Sequence, residues 1–308
     1  MIVTLTMNPA VDKSTEIERL VPEKKMRCAE LLVHAGGGGI NVSKAIQELG
    51  GESIAVFPYG GLNGQVLLNL VKEEYVTAHA VEVAANTREN FVATETSTNK
   101  QFRFVMPGQS LTTEEVGKLK SAIENMKNVS FLVCSGSLPP GMPDDFLAEI
   151  AELAHHKGIK LIIDSSGAPL KAALQEGIYL AKPNLTELCS LVGKDYLDVA
   201  EIDDAAREVI GQGGCQVLVV SMGPTGAMLV TKDEVKEFRA PTAKKQTTVG
   251  AGDSMVGGIV WMLEQGKTLR EAVQFGIACG TAATINKGTQ LFSKADAFRF
   301  YEWMRREG

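Results

Sequence analysis

A glycine-rich turn at residues 247–258 carries a carboxylate where it could take part in phosphoryl transfer. Gly250, Ala251 and Gly252 precede Asp253, and a helical apolar pattern follows. A glycine-lined turn that opens a helix leaves backbone N–H groups free at the positive end of the helix dipole, which creates an anion site. A carboxylate there could act as the base that deprotonates a hydroxyl, while the N–H groups stabilise the charge that develops on a phosphoryl group. The alternative is an ordinary helix start with Asp in its first turn.

Four consecutive glycines, Gly36 to Gly39, lead into a second helical pattern that begins near Ile40. Such a run costs backbone entropy, so we expect another group to approach the main chain closely there. A dinucleotide-binding fingerprint needs a glycine at the sixth position, where Asn41 stands, and no good strand pattern precedes the run. A flexible loop is the alternative. Asn41 at the helix start favours a donor and acceptor for a hydroxylated ligand.

Asn184 and Glu187 follow a buried strand pattern and the pair Lys182-Pro183. They are about one helical turn apart and face the same side, an arrangement that can hold hydrated magnesium. Asparagine at a helix N-cap with glutamate three residues later is also an ordinary capping pair. The sequence leaves both interpretations open.

Four basic residues stand out in the polar segments of this acidic chain: Lys25, Arg27, Arg88 and Arg103. The planar guanidinium group of arginine matches the geometry of phosphate oxygens. The alternative is that all four are solvated surface charges.

Short β-like runs alternate with helical patterns along most of the chain. This alternation predicts an α/β fold with a mainly parallel sheet covered by helices on both faces. Residues 10–34 look polar and irregular, and residues 90–105 predict a hairpin, so these two segments could form a lid. The candidate strands are residues 2–6, 53–57, 130–134, 160–164, 178–181 and 216–221, and the clearest helical patterns are residues 40–49, 144–155, 202–210, 252–264, 269–286 and 294–305.

Composition narrows the functional class. With 308 residues, 44% of them hydrophobic, the chain can bury a sizeable core. A net charge of −6 argues against nucleic acid or an anionic membrane as the main partner. The N-terminus lacks the pattern of a signal peptide, and no apolar run reaches the roughly 20 residues that a membrane span needs. The five widely spaced cysteines look like small core residues in a reducing compartment. We expect a cytoplasmic protein.

Six ordered signatures resemble those of the ribokinase-like sugar kinases of the PfkB family, and the resemblance covers nearly the whole chain. It implies a single ribokinase-like α/β domain over residues 1–308, with a mainly parallel central sheet flanked by helices and a small β lid formed by about residues 10–34 and 87–107. The signatures are Gly36-Gly-Gly-Gly-Ile-Asn41-Val, Ser135-Gly-Ser137-Leu-Pro-Pro-Gly141, Asp164-Ser-Ser-Gly167, Lys182-Pro-Asn184 with Glu187, Ser221-Met-Gly223-Pro-Thr-Gly226 and Thr248-Val-Gly-Ala-Gly-Asp253-Ser-Met.

Within the family, the chain is most similar to the branch that phosphorylates fructose 6-phosphate. The similarity lies in Arg103-Phe-Val-Met-Pro-Gly108, in Pro22-Glu-Lys-Lys25-Met-Arg27-Cys and in the four glycines, where fructose 1-phosphate kinases usually carry a lysine at the third. It implies an ATP-dependent kinase that makes fructose 1,6-bisphosphate. The alternatives are kinases of tagatose 6-phosphate or fructose 1-phosphate. Alternatives of another class are a nucleotide-binding oxidoreductase built on residues 36–41 and a non-catalytic sugar-phosphate sensor, which would have no use for Asp253.

The resemblance assigns a role to each candidate site residue. Asp253 would be the base that deprotonates the sugar hydroxyl, and the N–H groups of Gly250, Ala251 and Gly252 would form the anion hole. The other residues would divide among four groups. The sugar would be held by Asp12, Gly37, Gly38, Asn41 and Ser137. The sugar phosphate would be held by Arg88 and Arg103, with Lys25 between the two phosphates and Arg27 reaching across from a second subunit. The ATP groove would be lined by Lys182, Asn184, Ser221, Gly223, Gly226 and Thr248. Asn184 and Glu187 would organise Mg2+ through water.

Two positions depart from this branch of the family. Thr186 stands where the branch has a lysine near the nucleotide, and Gln290 replaces an arginine beside a monovalent cation site. Many relatives are activated by potassium, and Thr247, Val249, Ala283, Asn286 and Gly288 occupy the matching positions. The resemblance further implies a sugar-phosphate substrate, no nucleic acid or membrane partner, and a homodimer that forms through the lid.

Overall fold

The computed structural model of the chain describes residues 1–286, 288 and 290–307. The strands are β1 (Ile2–Leu5), β2 (Ala10–Ile17), β3 (Leu32–Gly36), β4 (Ser53–Tyr59), β5 (Thr77–Glu82), β6 (Arg88–Glu95), β7 (Lys100–Phe104), β8 (Phe131–Ser135), β9 (Lys160–Asp164), β10 (Ile178–Ala181), β11 (Cys215–Ser221), β12 (Gly226–Thr231) and β13 (Val235–Arg239). The helices are α1 (Gly38–Glu48), α2 (Gly61–Glu73), α3 (Thr113–Glu124), α4 (Phe146–Lys157), α5 (Gly167–Gln175), α6 (Leu185–Leu191), α7 (Ile202–Gly211), α8 (Ala251–Glu264), α9 (Leu269–Thr284) and α10 (Lys294–Glu307).

A nine-stranded sheet runs through the centre of the molecule in the order β13-β12-β11-β10-β9-β8-β1-β4-β5. Within this sheet β5, β4, β1, β8, β9, β10 and β11 pair in parallel, whereas β12 and β13 add an antiparallel edge. Parallel neighbours require crossover connections, which place helices on both faces of the sheet. The predicted α/β architecture, with a mainly parallel central sheet flanked by helices, is therefore confirmed. The carboxyl ends of β1, β8, β9 and β10 meet at one edge.

Each face of this sheet has its own apolar core. Val3, Leu5 and Cys134 point into a cluster with α3, α4, α5 and α7. Ile2 and Val133 point to the opposite face, into a cluster with α1, α8, α9 and α10. This division follows from the alternation of side chains along each strand.

Helix α8 packs unusually close to its neighbours. A Cβ atom at Gly257 would lie 2.6 Å from the Cβ of Ala45 in α1, and one at Gly258 would lie 2.8 Å from the Sγ of Cys279 in α9. A side chain at Gly276 of α9 would in turn lie 2.7 Å from the carbonyl of Met255. The glycines therefore allow α8 to lie tightly between α1 and α9, with its N-terminus at the edge where the strands end.

A second, four-stranded sheet has the order β3-β2-β6-β7 and covers that edge. Residues 10–34, which look irregular in the sequence, supply β2 and most of β3, so that expectation was wrong. Val11 and Ala35 pack against α1 and α2, and along β2 the half-buried Asp12 and Lys13 separate two pairs of buried residues. The predicted hairpin at 90–105 is confirmed as β6 and β7. We refer to this unit as the small sheet.

Several smaller expectations can be compared with the structure. Four of the five cysteines are buried, as expected of core residues, but Cys28 is exposed. Helix α2 and the β12–β13 hairpin were not among the predicted elements. Across the part of the chain that the structure describes, no helix is long and apolar enough to cross a membrane.

Candidate active site

The start of α8 has the geometry of an anion site. Gly250 adopts the left-handed conformation with φ 72°, which a residue with a Cβ atom rarely adopts. Its carbonyl accepts the N–H of Ser254 at 2.8 Å, so the amides of Ala251, Gly252 and Asp253 precede the first donor within the helix. Among the described residues, no side chain caps this helix. The amides therefore remain available to an anion.

Two side chains orient the carboxylate of Asp253. The Nδ2 of Asn41 donates to one oxygen at 2.9 Å, and the Oγ of Ser135 donates to the other at 3.2 Å. Burial of the carboxyl group, followed by the nearby charge of Asp164, raises the pKa of Asp253 from 3.8 to about 6; Asn41, Lys182 and Ser135 oppose the rise. A carboxylate with a pKa near neutrality is well matched to accepting a proton from a hydroxyl.

A buried ion pair lies beside the anion site. The Nζ of Lys182 is 3.0 Å from the Oδ1 of Asp164, and both groups lie within 4 Å of where a side chain on Gly252 would begin. Burial lowers the pKa of Lys182, but Asp164, with Glu187 and Asp253, outweighs that effect and raises it overall. Lys182 therefore stays charged next to the helix start, where it adds to the attraction for an anion.

Asp164 was quoted in a signature but was not among the predicted site residues. It ends β9, and β9 lies between β8, which ends at Ser135, and β10, which leads to Lys182. Polar residues that follow neighbouring parallel strands meet at one edge of the sheet. That rule, applied to the candidate strands, could have identified Asp164.

The four glycines form a rigid, close-packed turn. A Cβ atom at Gly37 would lie 2.6 Å from Thr6 Cγ2, one at Gly38 would lie 2.3 Å from Ser135 Oγ, and one at Gly39 would lie 2.6 Å from the Leu5 carbonyl. Close approach to the main chain is thus confirmed, with the chain itself as the approaching group, and the flexible-loop alternative is wrong. The statement that no strand precedes the run is also wrong, because β3 ends at Gly36.

Asp12 and Arg88 lie on the small sheet beside this turn. The carboxylate of Asp12 accepts a bond from Asn90 Nδ2 at 2.8 Å, and burial raises the Asp12 pKa. A side chain at Gly36 would meet that carboxylate at 2.3 Å. Arg88 donates twice to the carbonyl of Asn8, at 2.9 and 3.2 Å, and once to that of Met106 at 2.5 Å. Arg88 is therefore fixed near Asp12.

Strand β7 reaches over to the loop before α8. Arg103 donates from Nη2 to Thr248 Oγ1 at 2.5 Å and to Gln101 Oε1 at 3.2 Å. Gln101 also contacts the buried hydroxyl of Thr247. The sequence-predicted residues Arg103, Thr247 and Thr248 are therefore brought together, and Gln101, which was not predicted, lies among them.

On the other side of the anion site, Asn184 and Glu187 form a capping box at the start of α6. The Asn184 amide donates to Glu187 Oε2, and the Glu187 amide donates to Asn184 Oδ1, both at 2.9 Å. The capping interpretation is therefore correct, and it leaves Glu187 Oε1 outside the box. Burial, followed by the charge of Asp164, raises the Glu187 pKa against the lowering effect of the capping bonds.

The remaining nucleotide-side residues follow β10 and β11. The Ser221 amide donates to the Pro183 carbonyl at 2.8 Å, and Ser221 bridges to Asn184, so the two loops run side by side. Gly226 has φ 123°, and a Cβ atom there would lie 1.9 Å from the Phe238 carbonyl. Gly223 also has a positive φ of 61°. These two glycines turn the chain sharply along the groove next to Lys182.

The residues assigned to a monovalent cation come from the loop before α8 and from the C-terminal end of α9 with the residues after it. The amides of Gln246 and Thr247 both donate to the Thr284 carbonyl, at 2.8 and 3.2 Å. This contact places Thr247 next to the end of α9, which contains Ala283 and precedes Asn286 in the chain. The groups are neutral, with carbonyl and hydroxyl oxygens of the kind that replace water around potassium.

Three predicted residues lie away from these contacts. Ser137 is exposed and accepts a long bond of 3.5 Å from Asn8 Nδ2. Lys25 and Arg27 are exposed on the segment between β2 and β3, and within the described chain neither makes a hydrogen bond or an ion pair. The fold of one chain therefore does not bring Lys25 and Arg27 into the site.

Comparison with known proteins agrees with this geometry. A model of the pfkB family carbohydrate kinases matches residues 1–296. The chain is 41% identical to the ATP-dependent 6-phosphofructokinase isozyme 2 of Escherichia coli strain K12, over 99% of both chains. It is 39% identical to the enzyme of that name from Mycobacterium tuberculosis strain H37Rv, over 98% of this chain and 89% of that one. It is 34% identical to a 1-phosphofructokinase of Xanthomonas campestris, over 83% and 82%.

Solved structures match over the same length. The crystal structure of phosphofructokinase-2 from E. coli in complex with potassium has a TM-score of 0.95 at 41% identity, covering 99% of both chains. Its complex with fructose-6-phosphate has a TM-score of 0.94 at 39% identity, with the same coverage. The tetrameric inhibited form of that protein has a TM-score of 0.93 at 40% identity, again over 99% of both chains.

Proposed function

The chain belongs to the pfkB family of carbohydrate kinases, and we propose that it transfers the terminal phosphoryl group of ATP to fructose 6-phosphate, making fructose 1,6-bisphosphate. The observation that carries the proposal is the oriented carboxylate of Asp253 beside the free amides of α8. A sensor would gain nothing from a base inside an anion site. The similarity to relatives named for this reaction supports the choice of sugar.

Asp253 is the base of the proposed mechanism. It accepts the proton of the sugar 1-hydroxyl while Asn41 and Ser135 hold its two oxygens in place. The amides of Gly250, Ala251 and Gly252 face the phosphoryl group in transfer and stabilise its negative charge. Phosphoryl transfer depends chiefly on positioning and charge neutralisation, and this arrangement supplies both.

The sugar binds between the glycine turn and the small sheet. Asp12 and Asn41, with the backbone at Gly37 and Gly38 and the hydroxyl of Ser137, hold its hydroxyl groups. Arg103 and Arg88 hold the phosphate already on the sugar. Arg103 would then exchange its bond to Thr248, or share it, since one guanidinium group has five donors. The small sheet is in this sense a lid over the sugar, made of about residues 10–34 and 87–107.

ATP lies in the groove along Lys182, Asn184, Ser221, Gly223, Gly226 and Thr248. Asp164 and Glu187 stand at its edge, but within the described residues no group of three or more acidic, histidine or cysteine side chains could hold a metal directly. Magnesium prefers to keep several waters and to bind one or two carboxylates plus substrate phosphates. The site fits that mode, with Glu187 and Asn184 holding the ion through water, and the ion would neutralise phosphate charge. Potassium would suit the neutral groups of Thr247, Val249, Ala283, Asn286 and Gly288.

The lid also supports a proposed homodimer. Large apolar side chains are exposed on or beside the small sheet: Leu31, Leu32, Phe104, Val105 and Met106, with Val105 64% exposed. Exposed large apolar side chains concentrated on one unit are a candidate interaction surface. A second copy would cover it and bring Arg27 and Lys25 of this exposed segment close to a neighbouring site. By light scattering at micromolar concentration, Val105→Asp should shift a dimer toward monomer, whereas Val199→Asp, at a residue 82% exposed elsewhere, should not.

A coupled ADP-release assay with Mg-ATP tests the proposed reaction. We would compare kcat/KM for fructose 6-phosphate, tagatose 6-phosphate, fructose 1-phosphate and fructose, with Asp253→Asn as the background. A clear preference for fructose 6-phosphate is the expected result. Preference for either of the other sugar phosphates would move the substrate, and no turnover with any of them would contradict the proposed activity.

A further inference from the structure

Gln101 links the small sheet to the loop that precedes the anion site. It lies on β7 opposite Thr94 of β6. Its Nε2 is 3.3 Å from Thr247 Oγ1 and 3.4 Å from Thr94 Oγ1, and its Oε1 accepts from Arg103 Nη2 at 3.2 Å. One side chain therefore contacts a sugar-side arginine and a residue of the nucleotide-side loop.

The contact continues from Thr247 to the anion site. Thr247 is 1% exposed, and its Oγ1 also accepts the amide of Val249 at 3.1 Å. Val249 directly precedes Gly250, whose left-handed conformation sets the direction of the first amides of α8. Any shift of the Thr247 hydroxyl would therefore change the backbone where the anion site begins.

Arg103 makes a second, parallel contact. Gln101 and Arg103 are two residues apart on a strand, so their side chains share one face, and they meet consecutive residues of the same loop, Thr247 and Thr248. When Arg103 turns to a phosphate, Gln101 retains its own contact with Thr247. The loop then stays tied to the small sheet while the arginine is occupied.

We propose that Gln101 is a positioning residue for phosphoryl transfer, which couples the seating of the sugar phosphate on the small sheet to the placement of the Gly250–Gly252 amides. The inference rests on the proposed function, since it assigns the sugar phosphate to Arg103. Gln101 would touch neither substrate and would act on the anion site through Thr247.

The test compares Gln101→Leu with Lys100→Leu. Leucine keeps much of the side-chain volume at 101 and removes the polar contacts. Lys100 is the neighbouring exposed residue, and within the described chain its side chain makes no hydrogen bond or ion pair with the loop. The first measurement is hydrogen–deuterium exchange of amides 249–252, with and without fructose 6-phosphate and with no nucleotide present. The second is kcat, together with KM for each substrate.

We expect fructose 6-phosphate to slow exchange of these amides in the wild type and in Lys100→Leu, and to leave it nearly unchanged in Gln101→Leu. We further expect kcat of Gln101→Leu to fall about threefold to tenfold, the range for one lost hydrogen-bonding group, with smaller changes in either KM. Gln101→Glu, which keeps an acceptor for Arg103 and Thr247, should recover part of both effects.

Several outcomes would overturn the inference. One is unaltered slowing of exchange in Gln101→Leu; another is a wild type that binds fructose 6-phosphate with no slowing at all. A uniform loss of melting temperature and of every kinetic parameter, shared with Gln101→Glu, would make the residue structural. Failure of the wild type to turn over any sugar phosphate would instead refute the proposed function, and the exchange measurement would still report the coupling.

Discussion

Replacing Asp253 by Asn should abolish most activity and at the same time stabilise the folded protein. Asparagine fits the site because its Oδ1 can accept from Asn41 and its Nδ2 can donate to the hydroxyl of Ser135. Without a base, kcat should fall about 10²–10⁴-fold. Binding of the sugar phosphate should change little, because the arginines that hold it are untouched.

The stabilisation follows from the raised pKa of Asp253. A carboxyl group whose pKa is higher in the folded state binds more protons there, so folding loses stability as pH rises through the interval between the two values. From 3.8 to about 6 corresponds to about 3 kcal/mol at 1.36 kcal/mol per pKa unit. This penalty is complete above about pH 6 and absent below about pH 4, and Asp253→Asn removes it.

Thermal unfolding between pH 4 and pH 8 measures the effect. We expect the melting temperature of Asp253→Asn to exceed that of the wild type by about 4–5 °C at pH 8, since a chain of this length shifts by about 1.5 °C per kcal/mol. The two melting temperatures should converge toward pH 4. Ser254→Ala is the control, because the buried hydroxyl of Ser254 has no hydrogen-bond partner among the residues that the structure describes. This substitution should affect neither kcat nor the pH trend. Equal stability of the variant and the wild type at pH 8, or a difference independent of pH, would refute the argument that burial disfavours the charged form of Asp253.

Three further predictions test separate parts of the site. Arg103→Ala should weaken sugar-phosphate binding by about 1.5–3 kcal/mol, which raises KM for the sugar phosphate roughly 10- to 150-fold and leaves KM for ATP unchanged in the ADP-release assay. Weaker ATP binding instead would place Arg103 on the nucleotide side. Asp164→Asn should move the acid limb of the kcat profile to lower pH, because the Asp164 charge raises the pKa of Asp253; a move to higher pH would contradict this. Gly39→Ala should lower stability by about 1–3 kcal/mol in urea unfolding, since its Cβ would lie 2.6 Å from the Leu5 carbonyl, whereas Gly117→Ala, where nothing lies within 4 Å, should not destabilise.

The sequence predicted the elements of the fold best where the apolar pattern has clear ends. The strands at 160–164 and 178–181 have the predicted bounds, because each is a short apolar run bounded by polar or glycine residues. The small sheet was harder to predict. Strand β2 mixes buried and half-buried polar side chains without strict alternation, and β3 is exposed at its start. An exposed polar segment separates the two strands, so residues 10–34 looked irregular as a whole.

Contacts between distant residues were beyond the reach of local patterns. Asp253 is identifiable from its own turn, but Ser135 as its hydrogen-bond donor lies 118 positions away. Gln101 and Thr247 are 146 positions apart and carry no motif of their own. Closure of the small sheet over the edge of the large one brings Gln101 to Thr247, whereas packing of α8 beside β8 brings Asp253 to Ser135. Lys25 and Arg27 were named from resemblance alone, and they lie exposed between β2 and β3, away from the contacts of the site.

The glycine contacts that fix α8 between α1 and α9 bear on how such an enzyme can change its substrate. They hold the anion site on a part of the fold that tolerates almost no repacking, since Gly257, Gly258 and Gly276 have no room for a methyl group. The proposed sugar contacts of Asp12, Arg88 and Arg103 come instead from the small sheet. Mutations there can alter which sugar is accepted while the transfer machinery is inherited intact. Divergence between relatives named for 6-phosphofructokinase and 1-phosphofructokinase activity would then need changes mainly in the small sheet.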